Sequence, residues 1–421
     1  MLKFNLTSFE NKYSFFLSLF FIFFIISPKI STTFLVFIIL FYVYNLIKGN
    51  IAFRFEKYYL PLIILYFSYI LGLFYTENLH EALRGLENKL SLLIIPFLFS
   101  FRAENKLLFF KRISLGLIIG VTTTSFIGLV HAIFQFGHSK SILSFFTIGI
   151  SPIHHPSYFV VFHIMASIIS IYGYRNNWKF FTKKSVITFL IFSFIFQCLC
   201  LSLAGLLFLF TMIFLGVLWW MNTKLNKIYF RISAIILPFA FIGIFFSIPQ
   251  FEGEFNGAFK YARSYFTNPE KFVKTRTSNI SGTEERLIMW TVSVQEIVNN
   301  PLGVGTGNVD SHLSNRLNSY GLNKLASKNY NPHNQFFQTS LEIGILSMLV
   351  FILGLFFWFK LAYFNRFWPF LILITNFIFN SLFESMLQRQ SGIVFYILFF
   401  CLFILFCSQK NQHEGIRCNS L

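Results

Sequence analysis

Apolar runs recur along the whole chain, separated by short polar turns and, once, by a long polar stretch. A helical membrane span needs roughly 17–25 mostly apolar residues. Twelve runs approach that length: residues 13–27, 31–47, 58–75, 88–101, 113–136, 157–174, 185–201, 203–221, 230–248, 337–359, 367–383 and 391–408. The fourth is short and begins obliquely near Leu79; the seventh and eighth form one stretch broken at Ser202–Gly205. The pattern predicts an all-α, polytopic transmembrane bundle of about 12 helices. Residues 1–248 would hold helices 1–9, residues 249–336 a long outer loop, residues 337–408 the last three helices and residues 409–421 a cytoplasmic tail.

The long loop has a pattern of its own. Phe255, Phe259, Ala262 and Phe266 share one helical face, with Lys260 and Arg263 beside it. Ser281-Gly-Thr-Glu284 has the form of a capping box and opens a second amphipathic helix, with Leu287, Trp290, Val294 and Ile297 in register. Asn299-Asn-Pro-Leu-Gly ends that helix, and an Asn-rich segment leads to Pro332-His333-Asn334, where the tenth run begins.

Composition closes off the soluble classes. Apolar residues make up 55% of the chain and charged residues 12%, about half the ~25% usual in soluble domains. The net charge of +18 would suggest a nucleic-acid partner in a soluble protein, but the placement of the charges argues for membrane lipid and against nucleic acid. With the N-terminus inside, 20 of the 34 lysines and arginines fall in inner segments, five in short outer connections and nine in the long outer loop. That bias puts both termini in the cytoplasm. It also requires the weak fourth span, without which the basic clusters Arg175–Lys184 and Lys224–Arg231 would lie outside. The five cysteines avoid the long loop, so neither a disulfide nor a cysteine metal site is expected there.

Few residues in this chain can carry chemistry. Arg286 lies in the first turn of the second loop helix, with Trp290 one turn later. A guanidinium there can hold a phosphate by its planar fork; equally, it can be a solvated charge paired with Glu285 or a lipid headgroup. His333 stands just before a helix start at the membrane–water boundary. The positive end of a helix dipole disfavours imidazolium there, and a neutral ring can serve as a general base; the alternative is an interfacial histidine bonded to loop backbone. Gly303-Val-Gly-Thr-Gly-Asn308 follows a helix rather than a strand, which makes it a tight turn and not a nucleotide loop. His154 and His155 are adjacent and do not share a helical face, so a metal pair is not expected. His131 and His163 within apolar runs are site candidates or, more commonly, neutral rings bonded to a neighbouring helix. Glu342, and Glu384 with Arg389, read equally as structural ion pairs or as site lining. The sole aspartate is Asp310, so no metal site and no cofactor is expected.

Four segments together carry a resemblance. Gly149-Ile-Ser-Pro-Ile-His-His-Pro-Ser-Tyr158 leads into a span; Glu285-Arg-Leu-Ile-Met-Trp290 precedes Asn300-Pro-Leu-Gly-Val-Gly-Thr-Gly-Asn308; Pro332-His-Asn-Gln-Phe-Phe-Gln-Thr-Ser-Leu-Glu-Ile-Gly344 leads into the next span; and Glu384-Ser-Met-Leu-Gln-Arg-Gln390 precedes the last. In that order, over about residues 115–408, the chain resembles the O-antigen ligase / O-antigen polymerase (Wzy-type) family of bacterial membrane glycosyltransferases. The resemblance implies an inner-membrane enzyme whose long outer loop, residues 249–336, is a periplasmic loop. It would take a glycan from an undecaprenyl (polyprenyl) diphosphate carrier on the periplasmic face, without a metal and with inversion. The acceptor is lipid A–core in a ligase and a second carrier-linked glycan in a polymerase. The resemblance implies further that His333 activates the acceptor hydroxyl and Arg286 holds the diphosphate, with Trp290, Asn334, His155 and Tyr158 at the substrate.

The chain departs from that pattern at Ser202-Leu-Ala-Gly205, where many relatives carry a Ser-Arg pair. Either Lys260, Arg263, Arg276 or Arg389 supplies a second cation, or the donor is held differently. The single large loop between the ninth and tenth spans favours a ligase. The reading of another class, a transporter or lipid flippase, needs polar groups at mid-depth in several spans and an internal repeat, and neither is visible.

Overall fold

The structure, a computed structural model, describes residues 9–224, 226, 243, 260–261, 263–276, 280 and 282–408. The described residues are almost wholly helical, with a single isolated bridge between Phe53 and Phe101. In chain order the helices are α1 (Phe9–Ile26), α2 (Pro28–Ile47), α3 (Leu60–Leu71), α4 (Leu79–Lys89), α5 (Ser91–Leu98), α6 (Lys106–Ser139), α7 (Pro156–Arg175), α8 (Lys183–Cys200) and α9 (Leu203–Lys224). After the undescribed stretch come α10 (Pro269–Lys274), α11 (Gly282–Asn299), α12 (Val309–Ser319), α13 (Asn323–Ala326), α14 (Gln335–Phe364), α15 (Trp368–Ser381) and α16 (Gln390–Ser408). Nine helical segments among the described residues are long and apolar enough to cross a membrane, and the chain is a multi-pass membrane protein. The ninth predicted run, residues 230–248, and most of the Phe255–Phe266 face lie outside the described residues.

The fourth predicted span is two short helices rather than one. α4 is amphipathic and capped by Asn78, whose Oδ1 accepts from the Glu81 amide. α5 has only eight residues and contains Pro96. Together, at 1.5 Å per residue, they make about 30 Å of helix. They connect two ends of the bundle: Asn78 lies beside Asn308, while Arg54 and Arg102 exchange backbone hydrogen bonds with Ser100 and Ala52. The segment therefore runs the length of α3 in reverse.

α16 is the central staff, with 83% of its apolar window buried, whereas α9 at the periphery buries 17%. Helix association in lipid rests on close packing rather than on the hydrophobic effect. Small residues accordingly mark the contacts. A Cβ at Gly116 would meet the Ser18 carbonyl of α1 at 2.6 Å, and one at Gly120 would meet Ile25 at 3.0 Å. The outward faces of α2, α3 and α14 carry exposed apolar side chains such as Leu40, Phe67, Leu346 and Phe356, which suits contact with acyl chains.

Helices α10–α13 have their own core of Phe272, Val273, Ile288, Met289, Val292, Val304, Leu313, Leu317 and Leu325, joined to α14 through Leu341. The buried stripe of α11 is thus Ile288, Met289 and Val292. The expected register of Leu287, Trp290, Val294 and Ile297 is the opposite, less buried face. Glu284, the acid of the expected capping box, is buried against Arg276 at 2.9 Å, and Ser281 lies outside the described residues.

The glycine turn after α11 fastens this cap to the bundle. Gly303, Gly305 and Gly307 have φ of 90°, 96° and 93°, a region open to glycine. Thr306 Oγ1 donates to the Tyr69 carbonyl at 2.9 Å, and Asn308 Oδ1 accepts from Thr76 Oγ1 and from the Glu77 and Asn78 amides. Opposite the turn, α14 is broken at Gly344 (φ 85°, ψ 165°), and Pro301 and Leu341 supply carbonyls to the Ile345 and Val304 amides. A Cβ at Gly344 would meet the Leu302 carbonyl at 2.7 Å. Gly344→Ala combines a glycine-only backbone with that clash and is expected to cost about 2–3 kcal/mol. Thermal unfolding in detergent would register this as a lowered midpoint; an unchanged midpoint would mean that the break is not fixed by this contact.

Candidate functional site

The segment entering α14 is built to present one histidine. Asn334 is the N-cap, its Oδ1 accepting from the Phe336 and Phe337 amides while its Nδ2 donates to the Leu382 carbonyl at 3.3 Å. Asn331 Oδ1 accepts the His333 amide at 2.9 Å. Between them His333 takes φ 49°, a left-handed conformation costing a non-glycine residue about 1–3 kcal/mol unless its surroundings hold it. The Tyr330 ring packs against the imidazole at 5.6 Å.

In the turn between α15 and α16, Glu384 brings its Oε2 to 3.5 Å from His333 Nδ1. The Glu384 amide is fixed on the Asn380 carbonyl at 2.9 Å. Both side chains are largely shielded from solvent, and the contact is slightly longer than a good hydrogen bond. Burial pushes the Glu384 carboxyl up, but the His333 contact and charge, with His155 and Arg286, outweigh it and hold the group below the usual carboxylate range. Its folded value lies below its unfolded one, so its stabilisation is present above the unfolded value and is lost as pH falls through the folded value.

Glu384 also lines a cavity of about 530 Å³ beneath the cap. Its wall includes His155, Ser157, Arg286, Trp290, Phe379 and Phe383, and its floor is the break between α8 and α9, where Leu201 adopts φ 49°. Arg286 forms no ion pair among the described residues; Glu285, its expected competitor, is taken by Lys328 at 2.9 Å. The Trp290 indole N–H is buried without a partner among the described residues. His155 caps α7 through the Ser157 amide. Desolvation lowers its imidazole below the ordinary range; Glu384 opposes this, and Arg389, His333 and Arg286 add to it.

The other expected site residues divide. Arg389 is exposed and acts on His155 through its charge, while Glu384 pairs with His333 and forms no ion pair with Arg389 among the described residues. Asn334 is buried and caps α14. Tyr158 is 1% exposed, lies behind the cavity wall and touches Gly392. Lys260, Arg263 and Arg276 gather in a separate cavity of about 440 Å³ around α10, with Arg276 bound to Glu284 and stacked 4.2 Å over Phe272. They are not in the wall of the His155–Glu384 cavity, and the broken α8–α9 floor adds Leu201, Ser202, Leu203 and Ala204 but no cation. His154 bonds to Ser391 and the Ile25 carbonyl, His163 to Ser125 and Ser193, and His131 to the Gly149 carbonyl. These three are satisfied structural histidines. The Glu384–His333 pairing was not visible in the sequence; the only signal was an acid in the short polar turn before the last span.

The described residues thus form a multi-pass helical membrane bundle with a capped cavity, a histidine–carboxylate contact and an arginine that makes no ion pair among the described residues. Residues 187–352 of the chain match the model of the O-antigen ligase family. That segment holds Arg286 and His333; His155 and Glu384 lie outside it. No curated protein matches the chain. The family carries out ligase- or polymerase-type glycosyl transfer.

Proposed function

We propose that the chain is an O-antigen ligase of the inner membrane. It would move a glycan from undecaprenyl diphosphate to a sugar of lipid A–core on the periplasmic face, with both termini cytoplasmic. The observation that carries this is the His333–Glu384 pair beside a cavity lined by an uncommitted arginine.

His333 takes the proton of the acceptor hydroxyl as that oxygen bonds to the anomeric carbon. The carbon–oxygen bond to the diphosphate breaks with its electron pair going to the phosphate oxygen, where Arg286 holds the charge. Glu384 stabilises the imidazolium that forms and fixes the ring, the role of the third member in nucleophile–base–orienter arrangements. One displacement inverts the anomeric centre. The apolar wall of Leu203, Leu207, Phe379 and Phe383 suits a polyprenyl chain. No metal is needed: the only carboxylate among the cavity's lining residues is committed to His333, and an arginine neutralises a diphosphate without one. Chelator treatment is therefore expected to leave the rate unchanged; loss of transfer restored by a divalent cation would overturn this part of the mechanism.

The test is transfer by purified protein in lipid, with one labelled undecaprenyl-diphosphate glycan and two acceptors in parallel. Product on lipid A–core supports the ligase, and longer carrier-linked chains would make the protein a polymerase acting through the same residues. Glu384→Gln should keep the fold and lower kcat about 10–100-fold, because it removes charge stabilisation of the imidazolium and leaves the base in place. An unchanged kcat would make the pair structural.

A further inference from the structure

A second cavity, of about 690 Å³, lies across the His333 segment from the first. It is enclosed by α4, α12 and the start of α14, and its chemistry is the reverse of its neighbour's. Five of its lining residues are Asn88, Asn315, Asn331, Gln338 and Gln388. Side-chain amides carry a donor and an acceptor each, as sugar hydroxyls do, and attract no ion of either sign. The volume falls within the ~300–1,000 Å³ of small-ligand sites.

Charged groups line it as well: Glu81, Arg84 and Asp310 are exposed, and Lys89 and Glu342 are buried. Lys89 and Glu342, both almost fully buried, pair at 3.3 Å, and Lys89 lies 4.6 Å over the Tyr69 ring. Glu342 Oε1 also accepts from Gln338 Nε2 at 2.9 Å and from Gln388 Nε2 at 3.0 Å. One group is left over. Gln338 is 3% exposed, lines the cavity, and its Oε1 finds no hydrogen-bond partner among the described residues. A buried carbonyl of this kind calls for a donor from outside the chain.

His333 lines neither cavity itself but stands between a lining residue of each. Glu384 lines the first cavity and contacts the His333 ring, whereas Asn331 lines the second and holds the His333 backbone amide. Ser385, next to Glu384, donates to Asn331 Oδ1 at 3.3 Å and ties the two sides together. A base held between these two residues lies next to both cavities, one on the side of Glu384 and one on the side of Asn331.

We infer that the cavity lined by Gln338, Asn315 and Asn88 is the subsite for the acceptor glycan, which approaches His333 from the side opposite the lipid-borne donor. This rests on the transferase reading. The donor's own glycan is the other source of the same chemistry. Asn88 and Asn315 are exposed on the cavity rim and make no hydrogen bond that the fold is seen to use, so Asn88→Leu and Asn315→Leu are the informative variants; Gln338→Leu probes the deeper carbonyl.

Two measurements on the full chain in lipid nanodiscs test the inference. The first is equilibrium binding of core oligosaccharide freed of lipid A, which needs no turnover. Wild type should bind it, and Asn315→Leu should weaken binding at least tenfold. The second is steady-state transfer, in which both rim variants should raise the KM for lipid A–core at least tenfold while the KM for the donor changes less than twofold. No oligosaccharide binding by wild type, equal binding by Asn315→Leu, or a rise in donor KM in place of acceptor KM would overturn the subsite. Binding lost in the variant from a wild type that transfers nothing would leave the subsite standing and sink the transferase reading; normal transfer with unmoved acceptor KM would do the reverse.

Discussion

His333→Ala is expected to reduce transfer at least about 1,000-fold, near the upper end of what a positioned general base contributes. The protein should still insert and fold, because the imidazole contributes one contact to Glu384 and one ring packing to Tyr330. A loss in this variant could come from the missing base or from relaxation of the left-handed backbone at φ 49°. His333→Asn separates the two, since asparagine tolerates that conformation and is not a base. If the chemistry needs the imidazole, both variants fail alike in the labelled-donor assay. Recovery of more than about a tenth of wild-type activity by His333→Asn would assign the residue to backbone geometry.

Arg286→Lys is the second large effect, an expected fall of about 100–1,000-fold in kcat, comparable to removing one preorganised donor from an oxyanion site. The substitution keeps a positive charge and loses the planar fork that binds two phosphate oxygens at once. Among the described residues no other lysine or arginine lines this cavity, so nothing beside it can take over. Single-turnover rates with saturating donor would isolate the step. A change confined to donor KM would mean that Arg286 binds ground state and transition state equally. Near-normal turnover would reduce it to a generic surface charge.

The apolar runs made most of the described helices legible, because a span announces itself by length, whereas the fourth run folds as the two short helices α4 and α5. The facing of α11 was not legible. Both of its stripes contain large apolar residues, and only the position of the cap on α14 decides that Ile288, Met289 and Val292 go inward while Trp290 meets the cavity. Arg286 and His333 stood out as isolated polar groups at helix starts. Their partners did not, since Glu384 reaches His333 across 51 positions and the sequence offers Arg389 as the nearer choice. The cation candidates Lys260, Arg263 and Arg276 were grouped by charge alone, and charge does not report which side of a cap a residue occupies.

The hydrogen bonds from Thr76, Glu77 and Asn78 to Asn308 span 230 to 232 positions. At about 5–20 residues per second of synthesis, the first corner of the protein waits roughly 10–50 s for its partner. Closure over so long a separation also contributes to a slow late step in folding. Until then α3 and α4 stand with their upper backbone donors open to water, and Lys89 lacks the glutamate that neutralises it. Assembly is therefore ordered in time as well as in space: the early helices come first, and the His333 segment takes its place only when the last third of the chain folds back onto them. A chain cut short after α9 would retain His155 and much of the apolar floor yet lack both Arg286 and His333, so on the proposed mechanism incomplete synthesis products would be catalytically silent.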